Sequence, residues 1–171
     1  QIKALRKNTK GHIYFIRPIN EIYSELYRSL DGGISFQNLL PELSSANAQF
    51  FDLQIGAGGT IYLAVGIPYS GAPSIYIPFL YVSQDDGDHW DKSQIPLYHT
   101  IGGNPGVKNA SLQLNPVGHW LISFVCEWEP QDGAYSDYCQ ISSSKNEGKN
   151  WEIVYTTADT DIRTWAHSSG I

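Results

Sequence analysis

The stretch Ser83-Gln84-Asp85-Asp86-Gly87-Asp88-His89-Trp90 is one of three copies of a short pattern in this chain. An earlier copy runs from Ser29 to Phe36, and a later copy runs from Ser144 to Trp151. Each copy reads S-x-[DN]-x-G-x-x-[WF], with asparagine in place of the acid in the last one. Copies that start at residues 29, 83 and 144 have a spacing typical of propellers, solenoids or arrays of similar units.

These residue types favour a tight β-hairpin turn. An Asp or Asn side chain can hydrogen-bond to backbone amides of its own turn, and glycine adopts a positive φ at low steric cost. The aromatic residue at the end of each copy then begins the returning strand. The three copies therefore predict three hairpins at comparable places in three similar units.

A second repeat accompanies the first. Before each copy comes a glycine followed by an apolar segment, as in Gly11-His12-Ile13-Tyr14-Phe15, and the corresponding glycines further on are Gly59 and Gly118. A leucine stands at the same distance before each glycine, in a segment where apolar and polar residues alternate. Such short alternation is typical of β-strands. Each unit is therefore predicted as a strand, a glycine turn, a second strand, a variable loop, a third strand, the S-x-[DN]-x-G turn and a fourth strand.

The units are predicted over residues 1–42, 48–97 and 108–157, and residues 161–171 match the start of a fourth. We expect no helix, because the best candidate, Pro41–Gln49, spans only about two turns and is predicted as a loop. The predicted strands are Ile2–Lys7, His12–Ile19, Ser24–Ser29 and Ser35–Leu40, then Phe50–Ile55, Thr60–Ile67, Phe79–Ser83 and His89–Ile95, then Ala110–Asn115, His119–Trp128, Asp137–Ser143 and Trp151–Thr156, and finally Ile162–His167.

The three copies resemble the Asp box, also called the bacterial neuraminidase repeat, of sialidases and several other β-propellers. We refer to Ser29–Phe36, Ser83–Trp90 and Ser144–Trp151 as the box turns. The resemblance implies a β-propeller in which each unit is one blade. It also implies a structural role for the box turns, because in that family they lie at the blade periphery, away from the ligand face.

The chain is therefore predicted to be all-β: a β-propeller segment of about three four-stranded blades plus the first strand of a fourth, within a six-bladed propeller. Residues 1–171 are expected to form a single domain. The last predicted strand, Ile162–His167, would be an unpaired edge, and such edges favour aggregation. We therefore expect another chain or copy to complete the propeller, either as the other fragment of a cut chain or by self-association.

The composition excludes several classes of partner. Hydrophobic residues make up 42% of the chain and charged residues 16%, and the net charge is −6. An acidic chain without a basic patch is a poor match for nucleic acid. The basic cluster of Lys3, Arg6, Lys7 and Lys10 is predicted to lie on a solvated edge strand. No apolar run is long enough for a membrane span.

Two features point towards an extracellular or secreted protein. Asn109-Ala110-Ser111 matches a glycosylation sequon. The chain has two cysteines, Cys126 and Cys139. If their strands pair so that opposite residue numbers sum to 265, the cysteines face each other and a cross-strand disulfide can form. Two reduced cysteines in a buried blade are equally compatible with the sequence.

The loops opposite the glycine turns and box turns carry most of the aromatic and acidic residues. Successive propeller strands run up and down, so the loops between second and third strands gather with the links between blades on one face, here called the mouth. Loops on a rigid scaffold are common sites of function. Aromatic rings beside carboxylates suit sugars, which stack on flat apolar faces and donate hydroxyl hydrogen bonds. The predicted ligand is therefore a glycan or oligosaccharide, with the aromatic candidates Tyr69, Tyr76, Tyr98, Trp128 and Tyr135.

Charged residues near the mouth supply the candidates for catalysis. Aligning the inner strands on their turn glycines places Asp52 and Arg163 at positions equivalent to Ala4 and Ser111. Asp52 is the sharpest candidate for a general acid or base, and Arg163 for the clamp of an anionic group. Pairing with polar neighbours is the structural alternative for both. Glycoside hydrolysis requires two carboxylates, and the predicted catalytic set is Asp52, Glu127, Glu129 and Asp132.

The resemblance to sialidase and exo-arabinanase propellers suggests a glycoside hydrolase. The arginine-rich carboxylate site of sialidases is not matched, because Phe15-Ile16-Arg17-Pro18 has the order of the family's Phe/Tyr-Arg-Ile-Pro motif altered and lies on a second strand. A non-catalytic lectin and a protein-binding scaffold are the alternatives from other classes. No cofactor or metal is expected, since the histidines lack the spacing of metal ligands.

Overall fold

The computed structural model describes residues 2–20, 23–69, 72–98, 103–114, 119–130 and 136–157. A short helix, α1 (Pro41–Ser45), precedes the fifth strand, and a 3₁₀ turn at Ala57–Gly59 follows it. In chain order, the strands of this part of the chain are β1 (Ala4–Lys7), β2 (Ile13–Pro18), β3 (Ser24–Ser29), β4 (Gln37–Asn38), β5 (Gln49–Ile55), β6 (Ile61–Tyr69), β7 (Ala72–Ser83), β8 (Asp91–Gln94), β9 (Gly103–Leu114), β10 (Trp120–Pro130), β11 (Ser136–Ser144) and β12 (Glu152–Thr156).

These strands form three four-stranded antiparallel sheets. The first sheet has the order β1-β2-β3-β4, the second β5-β6-β7-β8, and the third β9-β10-β11-β12. Every strand therefore pairs with its neighbour in sequence, as expected for tight turns that reverse the chain. Consecutive four-stranded meanders packed face to face are the blades of a β-propeller. The prediction of an all-β propeller segment is confirmed; the predicted strand Ile162–His167 lies outside the described residues.

Two hydrophobic cores lie between the sheets. Leu26 of the first sheet and Leu63 of the second belong to one core, and Leu80 of the second and Ile122 of the third belong to the other. All four side chains are fully buried. Burying one such side chain stabilises the fold by roughly 1.5–3 kcal/mol. The face-to-face packing of these apolar strands therefore joins each sheet to the next.

The box turns share one hydrogen-bond pattern. In the second copy, the Ser83 hydroxyl accepts a hydrogen bond from the Gly87 amide at 2.8 Å and donates one to Asp85 Oδ1 at 2.9 Å. Asp85 Oδ1 also accepts a hydrogen bond from the His89 amide at 2.9 Å. The other two copies repeat these bonds with Ser29, Asp31, Gly33 and Ser35, and with Ser144, Asn146, Gly148 and Asn150. The predicted turn chemistry is present in each copy.

Two strands begin earlier than predicted. β7 begins at Ala72 instead of Phe79, and β9 begins at Gly103 instead of Ala110. Proline and glycine in both segments favoured a loop in the sequence. The backbone nevertheless continues to pair, with a bulge in the β6–β7 pairing and another in the β9–β10 pairing. In contrast, β4 has only two residues, although Ser35–Leu40 was predicted as strand.

The segment Pro41–Gln49 is helical at its start, so the prediction of a loop throughout is wrong there. Pro41 occupies the first turn of α1, where its missing amide proton leaves no bond unmade. Leu43 is buried in the core between the first two sheets, which holds this short helix in place. No helix in the described part of the chain is long and apolar enough to cross a membrane.

The predicted opposition of Cys126 and Cys139 is wrong by one residue. Cys126 pairs with Tyr138, and Cys139 pairs with Val125. A shift of one residue turns a side chain to the opposite face of the sheet. Cys126 is accordingly buried and Cys139 exposed, and both thiols are free. Burial raises the pKa of the Cys126 thiol to about 12.

Candidate functional site

The mouth is the side of the sheets opposite the glycine turns and the box turns. Lys10, in the glycine turn of the first sheet, forms an ion pair of 2.7 Å with Asp86 in the box turn of the second. Both kinds of turn therefore lie on the same side, as the alternation of strand direction predicts. The opposite side carries the starts of β1, β5 and β9, together with the ends of β6 and β10 and the starts of β7 and β11.

The inner strands place equivalent residues in a row. Ala4 pairs with Ile16 in the first sheet, and Asp52 pairs with Ala64 in the second. Ser111 pairs with Ser123 in the third. These three residues occupy the same position counted from the glycine turn, as the alignment of the three units on their turn glycines predicted. The fourth predicted member of the row, Arg163, lies outside the described residues.

Asp52 connects the inner strands of the three sheets. Its Oδ2 accepts a hydrogen bond from the Leu112 amide of β9 at 2.9 Å, and its Oδ1 accepts one from the Leu53 amide at 2.7 Å. Arg6 of β1 places Nη2 at 3.7 Å from Oδ1. The carboxylate is 16% exposed. Asp52 is thus held in a fixed orientation with limited access to solvent.

A lysine approaches Asp52 from the start of the first sheet. Lys3 donates a hydrogen bond from Nζ to the Phe50 carbonyl at 3.2 Å, and Nζ lies 5.7 Å from the centroid of the Phe51 ring. Burial lowers the pKa of Lys3, and the negative charge of Asp52 opposes that shift. Together with Arg6 and Lys10, Lys3 has a specific partner in the second sheet. β1 lies at the edge of the first sheet and Lys3 and Lys10 are exposed, as predicted for a solvated edge strand, but the contacts with the second sheet were not predicted.

The two tyrosines at the β6–β7 hairpin differ in accessibility. Both lie on strands, and not in a loop as predicted. Tyr69 ends β6 and is 42% exposed. Tyr76 is buried, with its ring edge-on to Phe51 at 6.5 Å between centroids. A Cβ at Gly66 would lie 2.7 Å from the Phe51 ring, so this glycine is needed for the close packing.

Tyr98 is fixed against the third sheet by its backbone. Its amide donates to Gln140 Oε1 at 2.8 Å, and its carbonyl accepts a hydrogen bond from the Tyr138 hydroxyl at 3.2 Å. Burial raises the pKa of that hydroxyl. Gln140 also donates to the Pro96 carbonyl at 2.8 Å. Gln140 is completely buried. Its role was not predicted, because a polar residue at an alternating strand position is expected to face solvent.

The remaining candidates belong to the third predicted unit. The backbone of Glu127, Trp128 and Glu129 belongs to β10 and pairs with residues 104–106 of β9. The predicted strand His119–Trp128 already includes Glu127 and Trp128, at the point where the mouth loop was expected to begin. Glu129 was expected in that loop, which is wrong, because β10 extends to Pro130 and pairs there with Gly103. Asp132 and Tyr135 lie outside the described residues. Within the described residues, no group of three or more His, Cys, Asp or Glu side chains could hold a metal ion.

Comparison with known proteins identifies a likeness of fold. No protein-family model matches the sequence, and no curated protein matches it. Among solved structures, the chain is similar to an alpha-L-arabinofuranosidase from Fusarium graminearum, solved as a mutant in complex with an iminosugar inhibitor. The TM-score is 0.56 at 16% sequence identity, and the match covers 88% of this chain and 46% of the other. The chain therefore shares a fold with that enzyme and spans less than half of its length.

Proposed function

We propose that this chain is part of an Asp-box propeller that binds a glycan at its mouth and acts as an extracellular glycoside hydrolase. The observation that carries the proposal is the shared fold with an arabinofuranosidase over 88% of the chain. The hydrogen-bond pattern common to the three box turns supports the Asp-box assignment. We also propose that residues 1–171 belong to one domain, with blades at about 1–42, 48–97 and 108–157 and a fourth beginning near residue 161.

Binding of a sugar would use the aromatic and polar groups around the inner strands. Tyr69 is accessible and offers a ring for stacking. Tyr76 is buried against Phe51 and would shape the wall of the site instead of contacting the ligand with its face. Tyr98, Trp128 and Tyr135 complete the proposed aromatic set. Arg163 would contact an anionic or hydroxyl group of the ligand.

Hydrolysis would pair Asp52 with a second carboxylate from Glu127, Glu129 or Asp132. Both oxygens of Asp52 accept hydrogen bonds from backbone amides, and Arg6 lies beside one of them. Such a carboxylate suits an accepting role, as a base or a hydroxyl acceptor, more than the donation of a proton. The second carboxylate would then be the general acid. Hydrolysis of this kind needs no cofactor.

The hydrogen bonds of Asp52 also favour a second candidate function, that of a lectin. Asp52 ties together strands of three sheets, and that structural task is sufficient to explain its position. The mouth would then bind a glycan with the same aromatic residues and carry no catalytic pair. A protein-binding scaffold is the third class, and it requires neither binding nor turnover of a glycan.

The test combines a glycan array with assays for released arabinose, sialic acid and total reducing sugar. A hydrolase should lose about a thousandfold or more in kcat on Asp52→Asn, or on Glu127→Gln or Glu129→Gln if that residue is the acid. Asp91→Asn is the matched control, because Asp91 is an exposed carboxylate on β8, at the outer edge of the second sheet. Urea unfolding of each variant separates lost catalysis from lost folding. Binding without turnover would establish the lectin, and neither binding nor turnover would overturn both.

A further inference from the structure

The third sheet carries an open groove on the face turned away from the second sheet. The groove has a volume of about 260 Å³ and is lined by Ser111, Ser123, Val125, Cys139, Ile141 and Tyr155. Tyr155 is 47% exposed and Val125 is 39% exposed. Residues that alternate with these along the strands, such as Leu112 and Ile122, belong to the other face of the sheet and are fully buried against the second sheet. The groove therefore belongs to a face that no described residue covers.

The corresponding face of the second sheet is occupied by a box turn. Leu80 and Ser93 are paired neighbours on β7 and β8. The backbone of Gly148 lies directly against the side chain of Leu80. The Ser93 hydroxyl donates a hydrogen bond to the Gly148 carbonyl at 2.6 Å. These two residues thus form the seat of the glycine in the third box turn.

The first sheet repeats this arrangement. Leu26 and Leu39 are neighbours on adjacent backbone segments, joined by a hydrogen bond of 2.9 Å from the Leu39 amide to the Leu26 carbonyl. A Cβ at Gly87 would lie 2.6 Å from Leu39 Cδ1. Gly87 has a φ of 100°, so glycine suits both the turn and the contact. The box glycines of the second and third sheets, Gly87 and Gly148, therefore each rest on the sheet that precedes them.

The third sheet has the same seat without an occupant among the described residues. Ile141 precedes the box serine Ser144 by the same number of residues as Leu80 precedes Ser83. Ile141 pairs with Tyr155 on β12, as Leu80 pairs with Ser93. Both Ile141 and Tyr155 line the open groove. The repeat thus specifies what fits there, namely the glycine of a further box turn.

We propose that this groove is the docking site of a fourth four-stranded sheet that continues in the same polypeptide. Its innermost strand would be Ile162–His167, and the glycine of its box turn would rest on Ile141 and Tyr155. The segment repeats the strand and turn glycine, here Gly170, that open the three units. Arg163 would then follow Ser111 in the row that contains Asp52. The arabinofuranosidase chain, of which this chain spans 46%, extends well beyond the matched part.

A second copy of this chain is the competing occupant. Its first sheet also presents a box glycine, Gly33. A Cβ built on Gly33 would have only Ile13 and Phe36 nearby. Covalent continuity distinguishes the two cases, because a sheet of the same polypeptide covers the groove at every concentration. This inference does not depend on the proposed hydrolase activity.

Cys139 reports on the occupant, because its exposed thiol lines the groove. The native polypeptide is treated with N-ethylmaleimide, and the labelled cysteines are mapped by mass spectrometry at several protein concentrations, with the oligomeric state measured by light scattering. We expect Cys139 of the monomer to react about tenfold or more slowly than in urea-unfolded protein. Tyr155→Asp should restore its reactivity, whereas Val154→Asp, at an exposed neighbour, should not. Cys126 should stay unreactive in both variants, which confirms folding.

Three results would overturn the proposal. Rapid labelling of Cys139 in the wild-type monomer would mean that the groove is open. Protection that is lost on dilution, in parallel with dissociation of a dimer, would assign the groove to a second copy. Protection unaffected by Tyr155→Asp would place the cover elsewhere. If Cys126 reacts in Tyr155→Asp, the milder Tyr155→Ala replaces it, and the same outcomes apply.

Discussion

The backbone of Gly148 lies directly against the side chain of Leu80, which leaves no room for a Cβ between the third box turn and the second sheet. Gly33, at the same position of the first box turn, has only Ile13 and Phe36 nearby, at 3.6 Å and 3.8 Å from a Cβ built on it. Both glycines have a positive φ, 83° and 100° respectively. The two positions thus share the backbone requirement and differ in packing.

Gly148→Ala should therefore destabilise the chain more than Gly33→Ala. Alanine at a positive φ costs about 1–2 kcal/mol at either position. At Gly148 the added methyl group also displaces Leu80, which adds about 1–3 kcal/mol. Urea unfolding of both variants measures the difference in the free energy of unfolding. Equal losses would show that the box glycines serve only the turn.

Asp86 joins the first two sheets through a polar cluster. It accepts hydrogen bonds from Lys10 at 2.7 Å and from Tyr14 at 3.2 Å, and it lies 3.2 Å from His12 Nδ1. Burial acts to raise the pKa of Asp86, but the hydrogen bonds and charges of Lys10 and His12 lower it overall. Burial, with the nearby Asp86 carboxylate, raises the pKa of the Tyr14 hydroxyl.

Asp86→Asn should lower the free energy of unfolding by about 1–2 kcal/mol, because charge-assisted hydrogen bonds become neutral ones. Asparagine tolerates the φ of 60° at this position, so the backbone is retained. Glu147→Gln is the matched control, at the same position of the third box turn with a φ of 58° and an exposed side chain. The effect at Asp86 should shrink in 1 M salt. A loss no larger than that of the control would contradict an electrostatic link between the sheets.

Stability should fall in acid because of the box-turn carboxylates. Hydrogen bonds from the Ser35 hydroxyl and amide, and then from Ser29, hold the pKa of Asp31 well below its ordinary value of 3.8. Hydrogen bonds from the His89 amide and ring act in the same direction on the pKa of Asp85. A lowered pKa in the folded state contributes stability above the unfolded value, and that stability is lost as the pH falls from about 5 towards the folded pKa.

The third box turn supplies the control for this effect, since it has Asn146 in place of the acid. Asp31→Asn should flatten the decline of the urea midpoint between about pH 5 and pH 2, and Asn146→Asp should steepen it. The comparison is made from one set of urea titrations at several pH values. Identical slopes for wild type and both variants would show that these carboxylates do not govern acid stability.

The fold could be predicted from local turn chemistry, whereas the contacts between sheets could not. Glycine turns and box turns fixed where each strand reverses, so the row of Ala4, Asp52 and Ser111 followed from counting. The cysteine pairing failed by one residue, because the sequence between β10 and β11 has no recognisable turn motif that specifies their register. The partners Lys10, His12 and Tyr14 of the Asp86 side chain are more than seventy residues away in the chain, and the box-turn sequence does not predict them.

The candidate site was predicted only in part, for a related reason. Proline and glycine suggested loops at residues 67–78 and 94–108, where the structure has the extended strands β7 and β9. Tyr76 was therefore expected at the surface and is buried. The pairing of Lys3 with the second sheet was missed because a basic cluster near an edge strand usually faces solvent. These outcomes depend on which sheet packs against which, and that information is not local.

The last prediction concerns Gln140, which holds the segment containing Tyr98. Its side chain is fully buried and bonds to the Tyr98 amide and the Pro96 carbonyl, each at 2.8 Å. Gln140→Leu keeps a similar volume and leaves both backbone groups unpaired, so it should lower the free energy of unfolding by about 2–4 kcal/mol. Gln113→Leu, on an exposed position of β9, should have little effect. Hydrogen exchange at the Tyr98 amide should accelerate in Gln140→Leu alone, because the amide loses its acceptor. Unchanged exchange of the Tyr98 amide would mean that apolar contacts hold the segment from Pro96 to Tyr98. Tyr98 would then be positioned independently of Gln140.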